Sequence, residues 1–179
     1  MAQKVDVLGA GPLSRRANEV VQAAADLLEE VGRDGLTMRV LACRLGIKAP
    51  SLYKHLPDKA ALESALAAAA FEELGTLLRA RASENAGVGD LFEVCRTFAA
   101  QQPRLFCLMV QSPRPAGSLP AWLEDRAVAA FGKSIGDSDR GTLAWGLALS
   151  LGRMEVDGCI PQRISPEVAW SSARALFQQ

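Results

Sequence analysis

LTMRVLACRLGIKAPSLYKHLPDKAAL, Leu36 to Leu62, decides how the rest of the chain is read. Leu41, Ala42 and Leu45 fall on one face of a short amphipathic helix beginning at Met38. Thr37 suits its N-cap, since a hydroxyl there accepts an otherwise orphaned N–H of the first turn. Leu36 and Leu41 stand at the N′ and N4 positions of a hydrophobic staple. Gly46 ends that helix, where a left-handed residue is often required. A second segment, Ala49 to His55, turns Leu52 inward and leaves Ser51, Tyr53, Lys54 and His55 to point elsewhere. Pro57 closes it, and Asp58 caps the helix after it. Two short helices around a glycine turn form a helix-turn-helix pattern, whose second helix enters the major groove of DNA.

The charge supports that reading. From Thr37 to Lys59 there are five basic residues (Arg39, Arg44, Lys48, Lys54, Lys59) and one acid (Asp58), a local net of +4, whereas the 179-residue chain balances 20 basic against 20 acidic residues. One basic corner on a neutral protein suits a DNA-facing end attached to a body with another task. No run approaches the ~18 consecutive apolar residues of a membrane helix. The N-terminus lacks the charged and apolar regions of a secretory signal, so the cytoplasm is the expected location. The four cysteines (Cys43, Cys95, Cys107, Cys159) lie far apart without C-x-x-C spacing. Structural disulfides and a zinc cluster are therefore not expected, although sequence leaves a redox-active thiol open.

Outward from the opening stretch, residues 1–13 read as a flexible arm with two glycines and a proline. Ser14 is placed to cap a helix to about Val31, with Val20, Ala24, Leu27, Leu28 and Val31 on one face. Arg15 and Arg16 in its first turn are either phosphate contacts or solvated charges. An alanine-rich helix is expected over Lys59 to Ser83, with Leu62, Leu66, Ala69 or Ala70, Glu73 and Leu77 along one side. Asp90 is expected to cap a helix to Gln102. Pro103 stops that helix and opens a short apolar one over Leu105 to Val110. After the loop SPRPAGSLP, Ser112 to Pro120, Ser118 and Pro120 can start a helix to Ile135. Arg140 to Asp157 is the most apolar segment, and Ser165 caps the last helix. No alternating strand pattern occurs. The fold class expected is all-α, with three helices in an N-terminal unit and six in the body. The domains are 1–13 as arm, 14–57 as helix-turn-helix unit and 58–179 as regulatory and dimerisation domain.

These residues resemble the DNA-binding region of the TetR (tetracycline repressor-like) family of bacterial regulators. The resemblance is carried by Thr37, Ala42, Leu45-Gly46-Ile47, Ser51-Leu52-Tyr53-Lys54-His55-Leu56, Lys59 and Leu62. It covers about a quarter to a third of the chain and requires several spaced identities to coincide. It implies a homodimer, a three-helix DNA-binding unit and a larger helical domain that usually binds a small molecule releasing the protein from its operator. By that matching Arg39 reaches DNA from the second helix. Pro50, Ser51, Tyr53, Lys54 and His55 are recognition-helix contacts, and Lys59 meets a phosphate. Lys48 departs from the family, which often has Ser or Thr there, and leaves the start of the recognition helix uncapped. More loosely, Trp145, Glu155 and Gly158 match one subgroup, but Leu149 and Ser150 replace its His-Gly pair, so no role of that pair carries over.

Chemically, Lys48, Lys54 and Lys59 are phosphate or base donors. Ala49 and Pro50 suit a thymine methyl, and Ser51 can bond a phosphate or base edge. Tyr53 offers a ring to the sugar-phosphate backbone and an O–H to a phosphate. Tyr53 and His55 would alternatively pack within the helical unit. The small residues of Arg140 to Asp157, with Leu143, Leu147, Leu151 and Met154 on another face, suit a dimer seam with the last helix. Phe92, Cys95, Phe98, Phe106, Met109, Trp122, Leu147 and Met154 sketch a pocket for a small apolar ligand, and would serve equally as solid core. His55 is the only histidine, and neither a paired-carboxylate set nor a metal-ligand cluster is apparent, so no catalytic activity, cofactor or metal is expected. The function expected is a sequence-specific double-stranded DNA-binding regulator, a repressor released from a near-palindromic operator by a ligand. The alternatives are an architectural or interaction protein without a small ligand, and, least favoured, a helical enzyme reusing the fold.

Overall fold

The structure, a computed structural model, describes residues 15–54, 56–83, 86–111 and 121–178, with only the backbone of 121–124. The N-terminal arm, the Ser14 cap, His55, the loop 112–120 and the side chain of Trp122 lie outside the described residues. Those described form nine helices and no strand, as the all-α reading expects. They are α1 (Arg15–Gly35), α2 (Met38–Arg44), α3 (Ala49–Tyr53), α4 (Lys59–Ser83), α5 (Val88–Gln101), α6 (Pro103–Gln111), α7 (Ala121–Ile135), α8 (Ser138–Val156) and α9 (Pro166–Ala175).

Local chemistry sets most boundaries. Gly32, at φ 75°, interrupts α1; of the expected buried face Val20, Ala24, Leu27 and Leu28 are buried, whereas Val31 is 44% exposed. Thr37 caps α2, its Oγ1 accepting the Val40 N–H at 3.2 Å. Gly46, at φ 64°, closes α2: its N–H reaches the Cys43 carbonyl at 3.1 Å and the Ile47 N–H the Ala42 carbonyl at 3.0 Å, a Schellman motif. Asp58 caps α4 through the Ala61 N–H at 2.7 Å. Two expectations are corrected. The inward face of α4 runs through Leu62, Leu66, Ala70, Leu74 and Leu78, so Leu77 is 44% exposed and Glu73 is exposed. Helix α5 begins two residues before Asp90, which sits inside the first turn and accepts the Gly87 N–H from there at 3.0 Å.

The helices gather into two compact units that do not follow chain order. The first holds the described residues of 1–70 and 104–120; the second holds those of 71–103 and 121–179. In the first, α6 is fastened to α1 by reciprocal bonds. The Glu29 carboxylate accepts the N–H groups of Arg104 at 3.2 Å and Leu105 at 2.7 Å, orphan donors at the start of α6. The Arg104 guanidinium donates to the Glu29 carbonyl at 2.8 Å. Leu28, Leu36, Leu41, Leu52, Leu56, Phe106 and Met109 are wholly buried here.

In the second unit, α7 and α8 form a tight hairpin. Gly136, at φ 80°, makes the turn, and Asp137 caps α8 by accepting the N–H groups of Asp139 and Arg140. The helices meet at Gly132 and Gly141, where a Cβ on Gly141 would lie 2.5 Å from the Gly132 nitrogen. Phe92 on α5 anchors an aromatic cluster, edge-on to Phe131 at 5.5 Å and to Trp170 at 6.2 Å and stacked on Phe177 at 6.0 Å. Arg96 grips Glu155 with Nε at 3.1 Å and a terminal nitrogen at 2.8 Å. The Trp170 Nε1–H donates to the same carboxylate at 2.6 Å. Leu143, Val168 and Leu176 stay exposed, at 66%, 52% and 65%.

Candidate nucleic-acid interface

The candidate interface is α2, the Gly46 turn and α3. Leu52, without solvent exposure, pins α3 from behind, contributing about 2 kcal/mol of apolar burial. With that side chain inward, Pro50, Ser51, Tyr53 and Lys54 all emerge into solvent, Tyr53 half-exposed and Ala49 partly so. Lys48 sits at the N-cap in extended geometry, φ −77° and ψ 139°, and makes no side-chain cap bond, as the resemblance implied for this departure. Pro50 brings no N–H to the first turn of α3, and the Ser51 N–H is taken by the Lys48 carbonyl at 2.9 Å.

The basic stretch divides once its partners are seen. Arg44 makes a two-pronged pair with Glu30 at 2.6 and 2.8 Å, which raises the guanidinium pKa and lowers that of Glu30, chiefly through the hydrogen bond. The Lys59 ammonium donates to the Arg33 carbonyl at 2.8 Å and stands 3.9 Å from Glu63, so it helps join α4 to α1. Arg33 itself grips Glu63 at 2.9 and 2.8 Å. Arg39, Lys48 and Lys54 are exposed, and none has an ion pair among the described residues. They form the outward-facing charge of the pattern. Composition counts all five cations alike; Glu30 comes from α1, where local spacing gives no sign of it, whereas Glu63 stands four residues after Lys59 on α4.

The candidate ligand residues whose side chains are described fall in both units. Phe92, Cys95 and Phe98 are buried on α5, and burial pushes the Cys95 thiol far up. Leu147 and Met154 are half-buried on α8. Phe106 and Met109 are fully buried on α6, in the other unit, and the Trp122 side chain is not among those described. Phe98 lines a cleft of about 400 Å³ between α4 and α5, with Leu77, Ala80 and Val94 beside it and Arg81 and Asp90 among its polar residues. That cleft is not one the apolar periodicity indicated, because exposed Leu77 reads as part of a buried stripe. Among the described residues no group of three or more His, Cys, Asp or Glu side chains is placed to hold a metal ion.

Helix order and this geometry define a helix-turn-helix unit, and known proteins match it. Residues 20–66 match the model of the bacterial regulatory proteins of the tetR family. The match falls on the segment whose motif carries the resemblance. The tetracycline repressor protein class A of transposon 1721, from Escherichia coli, is 52% identical over 68 residues, covering 38% of this chain and 32% of that protein. The class D repressor of Escherichia coli is 56% identical over 48 residues, covering 27% of this chain and 22% of that one. The matches thus span about a third or less of these relatives' length. The likeness in fold extends further. A TetR variant from Acinetobacter baumannii in complex with minocycline superposes with a TM-score of 0.62 at 22% identity, over 90% of this chain and 95% of that one. AibR in complex with isovaleryl coenzyme A and operator DNA gives 0.59 at 14% identity, over 91% and 98%. At these identities the likeness speaks for the fold alone.

Proposed function

We propose that the protein is a sequence-specific transcriptional regulator of the bacterial cytoplasm, a repressor that binds a near-palindromic double-stranded DNA operator as a homodimer. The observation that carries this reading is α3. Leu52 holds it from behind while Pro50, Ser51, Tyr53 and Lys54 face outward, within a segment more than half identical to tetracycline repressors. In this reading the α3 side chains read bases in the major groove. Arg39, Lys48, Lys54 and Lys59 anchor phosphates. His55, outside the described residues, is a further DNA contact in this reading. Residues 14–57 supply the interface, and the body from residue 58 supplies dimerisation and control.

The exposed Leu143 on α8, Val168 on α9 and Leu176 just after α9 support the homodimer. Exposed large apolar side chains that share one pair of helices mark a surface that associates, and Gly146, where a Cβ would meet nothing within 4 Å, allows close approach. Two recognition helices would then engage half-sites one or more helical turns apart. Release follows when a small apolar ligand in the body favours a spacing unsuited to the operator. The minocycline and isovaleryl coenzyme A complexes of proteins with this fold are in keeping with such control. The protein works as a binder, not an enzyme.

Selection of bound sequences from random DNA tests the reading. The expected result is one enriched palindrome, bound with steep salt dependence and lost on Tyr53→Ala in a protein that still folds. Equal binding to all sequences would favour an architectural role instead.

A further inference from the structure

On the α4–α7 side of the second unit one buried guanidinium nitrogen lacks an acceptor. Arg79 donates from one terminal nitrogen to Thr76 Oγ1 at 3.0 Å. Its other terminal nitrogen, Nη1, is buried and has no hydrogen-bond partner. A buried charged donor left unsatisfied is costly, and native proteins rarely keep one without a use. Beside it stands Gly75, itself buried. A Cβ there would lie 4.0 Å from Arg79 Nη1 and 4.0 Å from the Cβ of Arg126. The glycine thus presents bare backbone to two arginines from different helices.

Glu72, on the same face of α4, is the nearby acid, and it does not supply the missing acceptor. It is half-buried and forms no ion pair or hydrogen bond among the described residues. Burial raises its pKa even though Arg126 and Arg79 pull the other way. On α7, Ala127 and Ala130 beyond Arg126 are buried, so apolar surface adjoins the charges along that helix.

We propose that Arg79, with Arg126 and over the bare backbone of Gly75, binds the oxyanion of a ligand, a carboxylate or a phosphate. A guanidinium presents paired planar donors, which match either group. The site deepens the regulator reading: it gives the effector an anionic head on an otherwise apolar body. It rests on that reading only for the word effector, because binding is measured without DNA.

The experiment is calorimetric titration of the full chain at constant ionic strength with sodium benzoate, inorganic phosphate and neutral benzamide. One or both oxyanions bind and benzamide does not; benzoate alone identifies a carboxylate site, phosphate alone a phosphate site. Arg79→Gln weakens binding by about tenfold or more, the size of a lost charged hydrogen bond. Glu72→Gln tightens it by removing a like charge. Gly75→Asp supplies an internal carboxylate to Nη1, so it abolishes binding and raises the thermal midpoint; this variant decides the matter if Arg79→Gln does not fold. Absence of binding by both oxyanions, equal binding of benzamide, or undiminished binding by Arg79→Gln overturns the proposal. A failed operator selection would leave this result standing, and a failed titration would leave the operator standing.

Discussion

Lys48→Thr separates two effects that one side chain now combines. Lys48 already has the extended backbone of an N-cap, so a threonine hydroxyl there can accept an N–H of the first turn of α3 without backbone movement. Such a cap contributes about 1 kcal/mol. The same change removes one of three outward-facing cations. Losing one phosphate contact lowers the slope of log K against log salt by about 0.9. Taken from 1 M to 0.15 M salt, that slope change amounts to a factor of about 5 per recognition helix and about 30 for a dimer. Urea denaturation and fluorescence anisotropy on the selected operator over a salt series measure the two effects independently. Lys48→Ala is the control, losing the charge without gaining a cap. The expected pattern is Lys48→Thr more stable than Lys48→Ala by about 1 kcal/mol, with both variants sharing the reduced salt slope. An unchanged slope in both would remove Lys48 from the DNA contact. Equal stability of the two would show that α3 gains nothing from a cap.

Gly141→Ala forces a methyl to within 2.5 Å of the Gly132 backbone, so α7 and α8 must part, and a loss of about 1–3 kcal/mol is expected in urea denaturation. Glu155 has a pKa lowered first by its hydrogen bond to Arg96; its stabilisation is full above the unfolded value and fades as pH falls through the lower folded value. The wild type therefore loses more stability than Glu155→Gln on acidification from about pH 5 to about pH 3, read from urea midpoints at each pH. Leu143→Glu puts a charge on the exposed apolar face of α8 and should yield monomers by light scattering, with unchanged helicity and weakened operator binding.

What could be read from sequence was what neighbouring residues decide among themselves. Thr37, Gly46, Asp58, Asp137 and Ser165 lie where capping and turn chemistry act over a few residues; of these Asp137 was not anticipated as the cap of α8, although Asp followed by Ser-Asp is a usable signal. Leu52 was legible because a two-turn helix with one large apolar residue has only one way to face. The α4 stripe was misread because its alanines permit several inward faces, and only Leu74 and Leu78 packing chooses among them. The division of the local cations is invisible in the pattern because Glu30, which holds Arg44, and the Arg33 carbonyl, which holds Lys59, both arrive from α1. Among the ligand candidates, apolar periodicity marks burial without naming a neighbour. It could not reveal that Phe92 is engaged by Phe131, Trp170 and Phe177, or that Phe106 and Met109 belong to the unit of α1, α2 and α3. Glycines and arginines carry no such periodicity, which is why the Gly75 and Arg79 arrangement left no trace in the pattern.

The bonds from Glu29 to the start of α6 bear on modularity. A segment as portable in appearance as 20–66 invites transplantation onto foreign bodies, and recombination could shuffle it in the same way. Yet its first helix carries the cap of a helix that begins at Pro103, and that helix returns the guanidinium of Arg104 to α1. Cut out as a contiguous piece, the graft leaves Glu29 without the two N–H groups it serves and uncovers the surface that Phe106 and Met109 bury. A functional chimera therefore has to import a second, discontinuous piece of sequence, or find in its host a helix start that offers Glu29 the same two donors.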